Sequence, residues 1–508
     1  MRRYRLTAFF LALLLALSAC AGGEGGDAAA PGSGSSSPGT GSQPVQAPRA
    51  VPFTLAVYPA YSLHPALAVN RANLTLAPLL YEGLFTVDGS FQAQPVLCRS
   101  YTASEDKLTW TFILRTGVTF SDGTPLTGQA VADALELARS GRYSQRLAQV
   151  ASITAPEDNP GAVVMTLSRP NGALPLLLDI PIALGDGERP AGTGPYVLAG
   201  TGDQLSLAAR EGWWQGDKNL PVQQIPLRAV ERSDQLIYAF DAGDVSLVDV
   251  DLMATNSMGY GGNYQTWDYA TTDLLYLGFN TREGVCRDQE FRRALALAVD
   301  RASIAQTVYA SHAVAAALPV HPHSPLYDRE AAERLSYHPE ELAAQVEGLR
   351  ERDRAVVFLV NSENTAKAST AQRIAYQLEA AGLAVELRQL PFEDYAAALA
   401  KGDFDLYLGE TALTADFDLA PLLASAGSLN YGRWQDEETD QLAAALQRAG
   451  EEARPQAASA LFAHLDQACP IAPVAFKNGS VLTQWGRVSG LAPVRGDVFH
   501  GLEHWSVS

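Results

Sequence analysis

The chain is 508 residues long, 47% hydrophobic and 18% charged, with 56 acidic against 37 basic residues and a formal charge of −19. This is the composition of a globular protein. The acidic excess excludes a nucleic-acid binder, which needs clustered Lys and Arg, and argues against adsorption of the folded body to anionic lipid heads.

Arg2, Arg3 and Arg5 open the chain, and residues 6–17 hold six leucines and two phenylalanines. The apolar run is too short to span a bilayer, which takes roughly 20 residues, so residues 1–19 read as a secretory signal peptide. The junction Leu17-Ser18-Ala19-Cys20 resembles the lipobox of bacterial lipoproteins, in which the cysteine is acylated and becomes the mature N-terminus. Residues 20–50 are mostly Gly, Ala, Ser, Pro and Gln. Such a segment cannot bury enough apolar surface to offset its ordering entropy. It is expected to be a lipid-anchored flexible tether with a reach of roughly 30 Å. The protein is therefore expected outside the cytoplasm, held at the cell membrane by lipid on Cys20.

The residues from 51 to 508 exceed what one core supports, which predicts at least two lobes. Acylation of Cys20 leaves Cys98, Cys286 and Cys469. Three is odd, so at least one stays free or pairs outside the chain. Cys98 reads as a small buried hydrophobe; a bond between Cys286 and Cys469 stays open.

In chain order, residues 53–58 read as a strand and residues 72–84 as a helix with apolar spacing through Leu76, Leu79, Leu80 and Leu84. Residues 108–114 alternate at period two, a half-buried strand, and run into the turn Phe120-Ser121-Asp122-Gly123. Residues 128–139 predict a helix; 163–167 and 196–198 predict strands, with Gly192-Thr193-Gly194-Pro195 a tight turn between them. A long helix is expected over 289–310, capped by Asp288, with Arg292 and Arg293 solvated or structural. The clearest organisation spans 355–409: strand 355–360, helix 367–381 stopped by Gly382, strand 384–387, helix 392–401 stopped by Gly402, and strand 404–408. That is a doubly wound parallel α/β unit. Ligands of such sheets sit beyond the carboxyl ends of the strands, which makes residues 410–418 a binding candidate.

The ordered set of landmarks resembles the bacterial extracellular solute-binding proteins of family 5, the peptide and nickel class served by ABC importers. It comprises LYEGL at 80–84, WTFILR at 110–115, VTFSDGTP at 118–125, GTGPY at 192–196, Trp213-Trp214 and YLGFN at 276–280. FRRAL at 291–295, DFDL at 403–406 and NYGRW at 430–434 complete it. The resemblance implies an α/β, two-lobed periplasmic-binding-protein-like fold of type II, in the large class with a subsidiary domain. Lobe I is expected over 51–275, with the subsidiary domain at about 82–189. Lobe II follows over 276–475, and residues 476–508 return to lobe I. It implies permease and ATPase partners, a short peptide or related amine-bearing solute as ligand, and a monomer. Peptide binders of the family pair an aspartate after DFDL with the ligand's α-ammonium. That position maps to Asp416, but the proline is displaced to Pro421, which leaves Asp418 open. Gln129-Ala130-Val131 also departs from the family, lacking the usual acid before Val.

Asp416 and Asp418 flank Phe417 just past a strand end, where a carboxylate makes a charge-assisted hydrogen bond to a ligand ammonium. Tyr58, Tyr61, Tyr81, Trp267, Tyr269, Tyr431 and Trp434 are cleft-lining candidates, because aromatics give large contact area at low entropy cost. Glu82 joins them within the LYEGL landmark. For Trp110, Trp213 and Trp214, core packing is favoured. His321-Pro322-His323, with His312 and His338, invites a metal, but no carboxylate or thiol stands at ligand spacing; no metal or cofactor is expected. No HExxH, GxSxG, Walker loop or dinucleotide fingerprint occurs, so an enzyme is not expected. The alternatives are a sensory binding lipoprotein, a nickel or metal-chelate binder and, less favoured, an anchored hydrolase.

Overall fold

The computed structural model describes residues 52–508 other than 217 and 256–258. The signal segment 1–19, Cys20 and the tether 20–50 lie outside the described residues. No helix among the described residues is long and apolar enough to cross a membrane.

The largest sheet is organised by two long strands, Tyr264–Phe279 and Ile471–Gln484, which pair antiparallel from Tyr264 opposite Gln484 to Gly278 opposite Ile471. Leu247–Val250 flanks this pair on one side. On the other, Leu406–Ala412, Ala355–Asn361 and Ala384–Leu390 follow in that order. These last three are parallel to one another, as the pattern over 355–409 predicts. The sheet as a whole is mixed, because Leu406–Ala412 runs antiparallel to Tyr264–Phe279. Asn364 caps the helix Thr365–Ala380 through Lys367 N–H, and Gly402 ends Phe392–Lys401 in the left-handed conformation, φ 82°. There glycine avoids the Cβ clash that other residues meet.

A second sheet joins Leu55–Val57, Gln224–Ala229, Ser206–Ala209 and Tyr196–Ala199. A third, antiparallel, sheet orders Cys98–Ala103, Thr109–Leu114, Ala162–Leu167 and Val150–Thr154. The helix Gly128–Ser140 covers it, burying Val131, Leu135 and Ala138 in one cluster with Phe112, Val163 and Met165. Cys98, Cys286 and Cys469 are all free and buried.

Two expected helices are shorter than their apolar spacing predicts. The run over 72–84 divides into Arg71–Thr75 and Ala77–Leu80, and Tyr81 is extended. Pro78 explains the break: lacking an N–H, it fits the first turn of a helix and not the middle. The run over 289–310 divides into Gln289–Leu297 and Arg301–Thr307, because Asp300 accepts from Ser303 N–H and so starts a new helix. Arg292 is structural, its guanidinium donating to the carbonyls of Cys469 and Cys286.

The segment expected as a tight turn has another purpose. Ala191–Gly192 pairs with Ala183–Leu184, and both Gly192 and Gly194 press against the backbone of Leu80. A Cβ on Gly192 would sit 2.0 Å from the Leu80 carbonyl oxygen, with Tyr81 also in the way. Backbone must move to admit it, so Gly192→Ala is expected to destabilise by about 1–3 kcal/mol, as overpacking does. A thermal melt checks this; an unchanged melting temperature contradicts the close approach.

Candidate ligand-binding site

The strand Leu406–Ala412 delivers the chain to Asp416, Phe417 and Asp418. Asp416 is buried, 1% exposed. Its Oδ2 accepts from Asn171 Nδ2 at 2.8 Å, its carbonyl accepts from Arg454 Nη2 at 2.6 Å, and its Oδ1 has no partner. Asp418 pairs with Arg169 Nη2 at 2.6 Å and caps Ala420 N–H at 3.0 Å. Arg169 and Asn171 follow the strand Ala162–Leu167 of the third sheet. Gly172 N–H adds a bond to the Gln447 carbonyl at 2.7 Å. The aspartate loop is thus where two distant parts of the chain meet. Burial pushes the Asp416 carboxyl up, and the Asp418 charge adds to it against the hydrogen bond from Asn171.

A second group of charges escaped the sequence. Asp179 holds Arg495 Nη2 at 3.0 Å on one oxygen and contacts Arg146 Nη2 with the other. Burial lowers the Arg146 pKa, helped by the Arg495 charge, to about 9, which leaves it cationic at neutral pH. Asp179 and Arg495 line a cavity of about 660 Å³ shared with Tyr81, Glu82, Trp213 and Trp214. Glu82 braces that wall, accepting from Trp214 Nε1 at 2.7 Å and Gln215 Nε2 at 2.8 Å, while Tyr81 Oη donates to the Pro190 carbonyl. Arg146, Asp179 and Arg495 lie in no motif, and nothing in their local sequence marks them.

A third group surrounds the long strand pair. Lys477 is buried, with Glu410 at 2.8 Å and Asp251 at 3.3 Å. Burial works to lower its pKa, but these two carboxylates outweigh it and hold the ammonium above its ordinary value. Arg71 bonds Asp249 at 2.9 Å, and Tyr269 Oη donates to the same carboxylate at 2.8 Å. Arg71, Asp249 and Asp251 line a cavity of about 730 Å³ with Tyr58, Tyr61 and Tyr260.

The remaining aromatic candidates make contacts elsewhere. Trp267 Nε1 donates to Thr483 Oγ1 across the strand pair. Tyr431 packs edge-on to Tyr407, and Trp434 donates to Thr439 while lying under the Arg292 guanidinium. His321 is enclosed by Phe91, Phe476 and His323, and burial pushes its pKa down to about 3, so it is neutral. Among the described residues no three His, Cys, Asp or Glu side chains converge as a metal site.

The structure has the two-lobed, mixed α/β fold of the periplasmic binding proteins. The family model of the bacterial extracellular solute-binding proteins, family 5, matches residues 92–431, and the chain belongs to that family. Glutathione-binding protein GsiB of Salmonella choleraesuis (strain SC-B67) is 26% identical over 427 residues, 76% of this chain and 81% of the relative. The probable D,D-dipeptide-binding periplasmic protein DdpA of Escherichia coli (strain K12) is 22% identical over 379 residues, 68% of this chain and 72% of the relative. The structure of HbpA2 from Haemophilus parasuis shares the fold with a TM-score of 0.74 at 20% identity, covering 91% of this chain and 100% of that one.

Because Asp416 is raised, the folded chain holds its proton more tightly than the unfolded chain does. The stability this confers is present below the ordinary carboxylate range and is lost as pH rises through the raised folded value. Asp416→Asn should therefore raise the melting temperature of the ligand-free protein at pH 7 and flatten its pH dependence across that window. A variant that melts lower than wild type at pH 7 contradicts this.

Proposed function

We propose that the protein is the substrate-binding component of an ABC importer, capturing short peptides or related amine-bearing solutes by closure of its lobes. The boundaries near residues 275 and 476 then separate lobe I from lobe II. The observation that carries the reading is Asp416, a buried carboxylate with one oxygen unpartnered, where the third sheet meets the end of a parallel strand. A ligand ammonium is the group such an oxygen is built to receive. Family membership supports the reading, as do relatives named for glutathione and D,D-dipeptides, both amine-bearing peptides. Asp418, bound to Arg169, is the lesser candidate.

Truncating one side of a buried charged pair costs on the order of 2–5 kcal/mol, or roughly 30-fold or more in Kd. Asp416→Ala should weaken binding of free-amine di- and tripeptides by that amount in calorimetry. N-acetylation of the peptide should weaken wild-type binding similarly, and the two losses should not add. Free-amine peptides bound equally well by Asp416→Ala would refute the assignment.

The proposal includes anchoring at the membrane by lipid on Cys20, supported by Leu17-Ser18-Ala19-Cys20 and the tether behind it. Cys20→Ser should abolish incorporation of labelled palmitate and release the protein from the cell surface. Wild-type protein that takes up no label in an acylating host would rule the anchor out.

A further inference from the structure

A cavity of about 400 Å³ lies where the third sheet, the aspartate loop and the start of the helix Arg454–Ala468 meet. Ala415 and Phe417 line it, whereas Asp416 between them does not. Four aromatic rings face this space. Tyr101 and Trp110 stand on adjacent strands of the third sheet, centroids 5.9 Å apart. Phe91 and Phe417 pack against each other at 5.1 Å. The single polar atom of the Trp110 side chain, Nε1, is engaged by the Asn171 carbonyl at 3.2 Å, so the indole meets the cavity as hydrocarbon. The charged groups of the wall are engaged or opposed. Arg454 donates to the carbonyls of Asp416 and Leu446, and Lys107 and Glu451 are of opposite sign.

The backbone supplies an independent observation. Phe91, Lys107 and Phe417 are left-handed, at φ 57°, 60° and 50°. Seven non-glycine residues among those described have this conformation, and three of them line this one cavity. Strain of this kind collects at ligand clamps, where the surroundings over-determine it. Pockets of this size, lined by aromatic surface with few polar groups, are those that bury small molecules.

We propose that this cavity is a second binding site, separate from the solute contact at Asp416, for a planar, uncharged aromatic compound of two or three fused rings. The four side-chain rings give such a compound offset and edge-on partners. Its walls belong to the third sheet and to the aspartate loop, so an occupant ties the two together. The site stands whether or not Asp416 receives an ammonium.

The probe is β-naphthol, uncharged at pH 7 and excitable beyond the tryptophan band, titrated with the full-length protein and read by fluorescence anisotropy. Wild type should bind it saturably, one molecule per chain. Tyr101→Ala should weaken binding by about 3- to 10-fold, the worth of one aromatic pair. Ala103→Trp, which fills the cavity from the end of the edge strand Cys98–Ala103, should abolish it. Tyr101 is partly exposed and Ala103 ends an edge strand, so neither replacement strikes the core. Tyr376→Ala, on the surface outside the cavity, should bind as wild type does. No saturable binding by wild type, or equal binding by Ala103→Trp, overturns the proposal. Tighter binding of β-naphthoate than of β-naphthol overturns the uncharged class. Asp416→Asn should leave β-naphthol binding unchanged; its loss would merge the cavity with the solute site and overturn a second one.

Discussion

The antiparallel ladder between Tyr264–Phe279 and Ile471–Gln484 is the constraint on which the rest of the molecule depends. A fully paired ladder bends little, because every backbone group is engaged. This one is interrupted: Ala270 faces Asn478 and Leu274 faces Phe476, so Thr271, Thr272 and Asp273 have no partner on the opposite strand. Such bulges are where strands bend. Their polar groups are satisfied sideways. Thr271 Oγ1 donates to the Lys477 carbonyl and Thr272 Oγ1 to the Leu413 carbonyl, each at 2.6 Å. Leu413 leads directly into the aspartate loop, so the bend and the loop share a hydrogen bond.

Charge is distributed unevenly about this ladder. Lys477 sits at the bend with two carboxylates in contact. Removing one partner from such a buried group is costly, so the arrangement resists change even though buried pairs add little net stability. Asp416 is buried and Arg495 about a quarter exposed, each with an atom unengaged.

Much of the fold was legible because its signals are local. The parallel unit was readable from apolar strands and from Gly382 and Gly402, both left-handed in the structure. Apolar spacing misled where it ran past a residue with its own boundary chemistry, Pro78 in one case and Asp300 in the other. Asp416 stood out as a candidate by its place after a strand and by the family pattern. Its partner Asn171 is 245 positions away, and Asp179 is 316 from Arg495. Contacts at such separations arise from the packing of sheets against one another, and no window of sequence carries them.

The aim of the aspartates depends on packing as well. Phe417, between them, has φ 50°, a left-handed backbone that costs a non-glycine residue on the order of 1–3 kcal/mol. Its ring packs edge-on against Phe476 of the long ladder and against Phe91, centroids 5.1 Å apart. Phe91 comes from the turn between Phe85–Val87 and Ala93–Pro95, is itself left-handed at φ 57°, and packs on His321. Two strained backbones therefore support each other through one apolar contact between remote parts of the chain. Separating those parts would withdraw Phe91, expose Phe417 and remove the contact that opposes its strain. The loop would then be free to relax and turn Asp416 from its present direction. The direction of Asp416 is coupled in this way to the seating of Phe91.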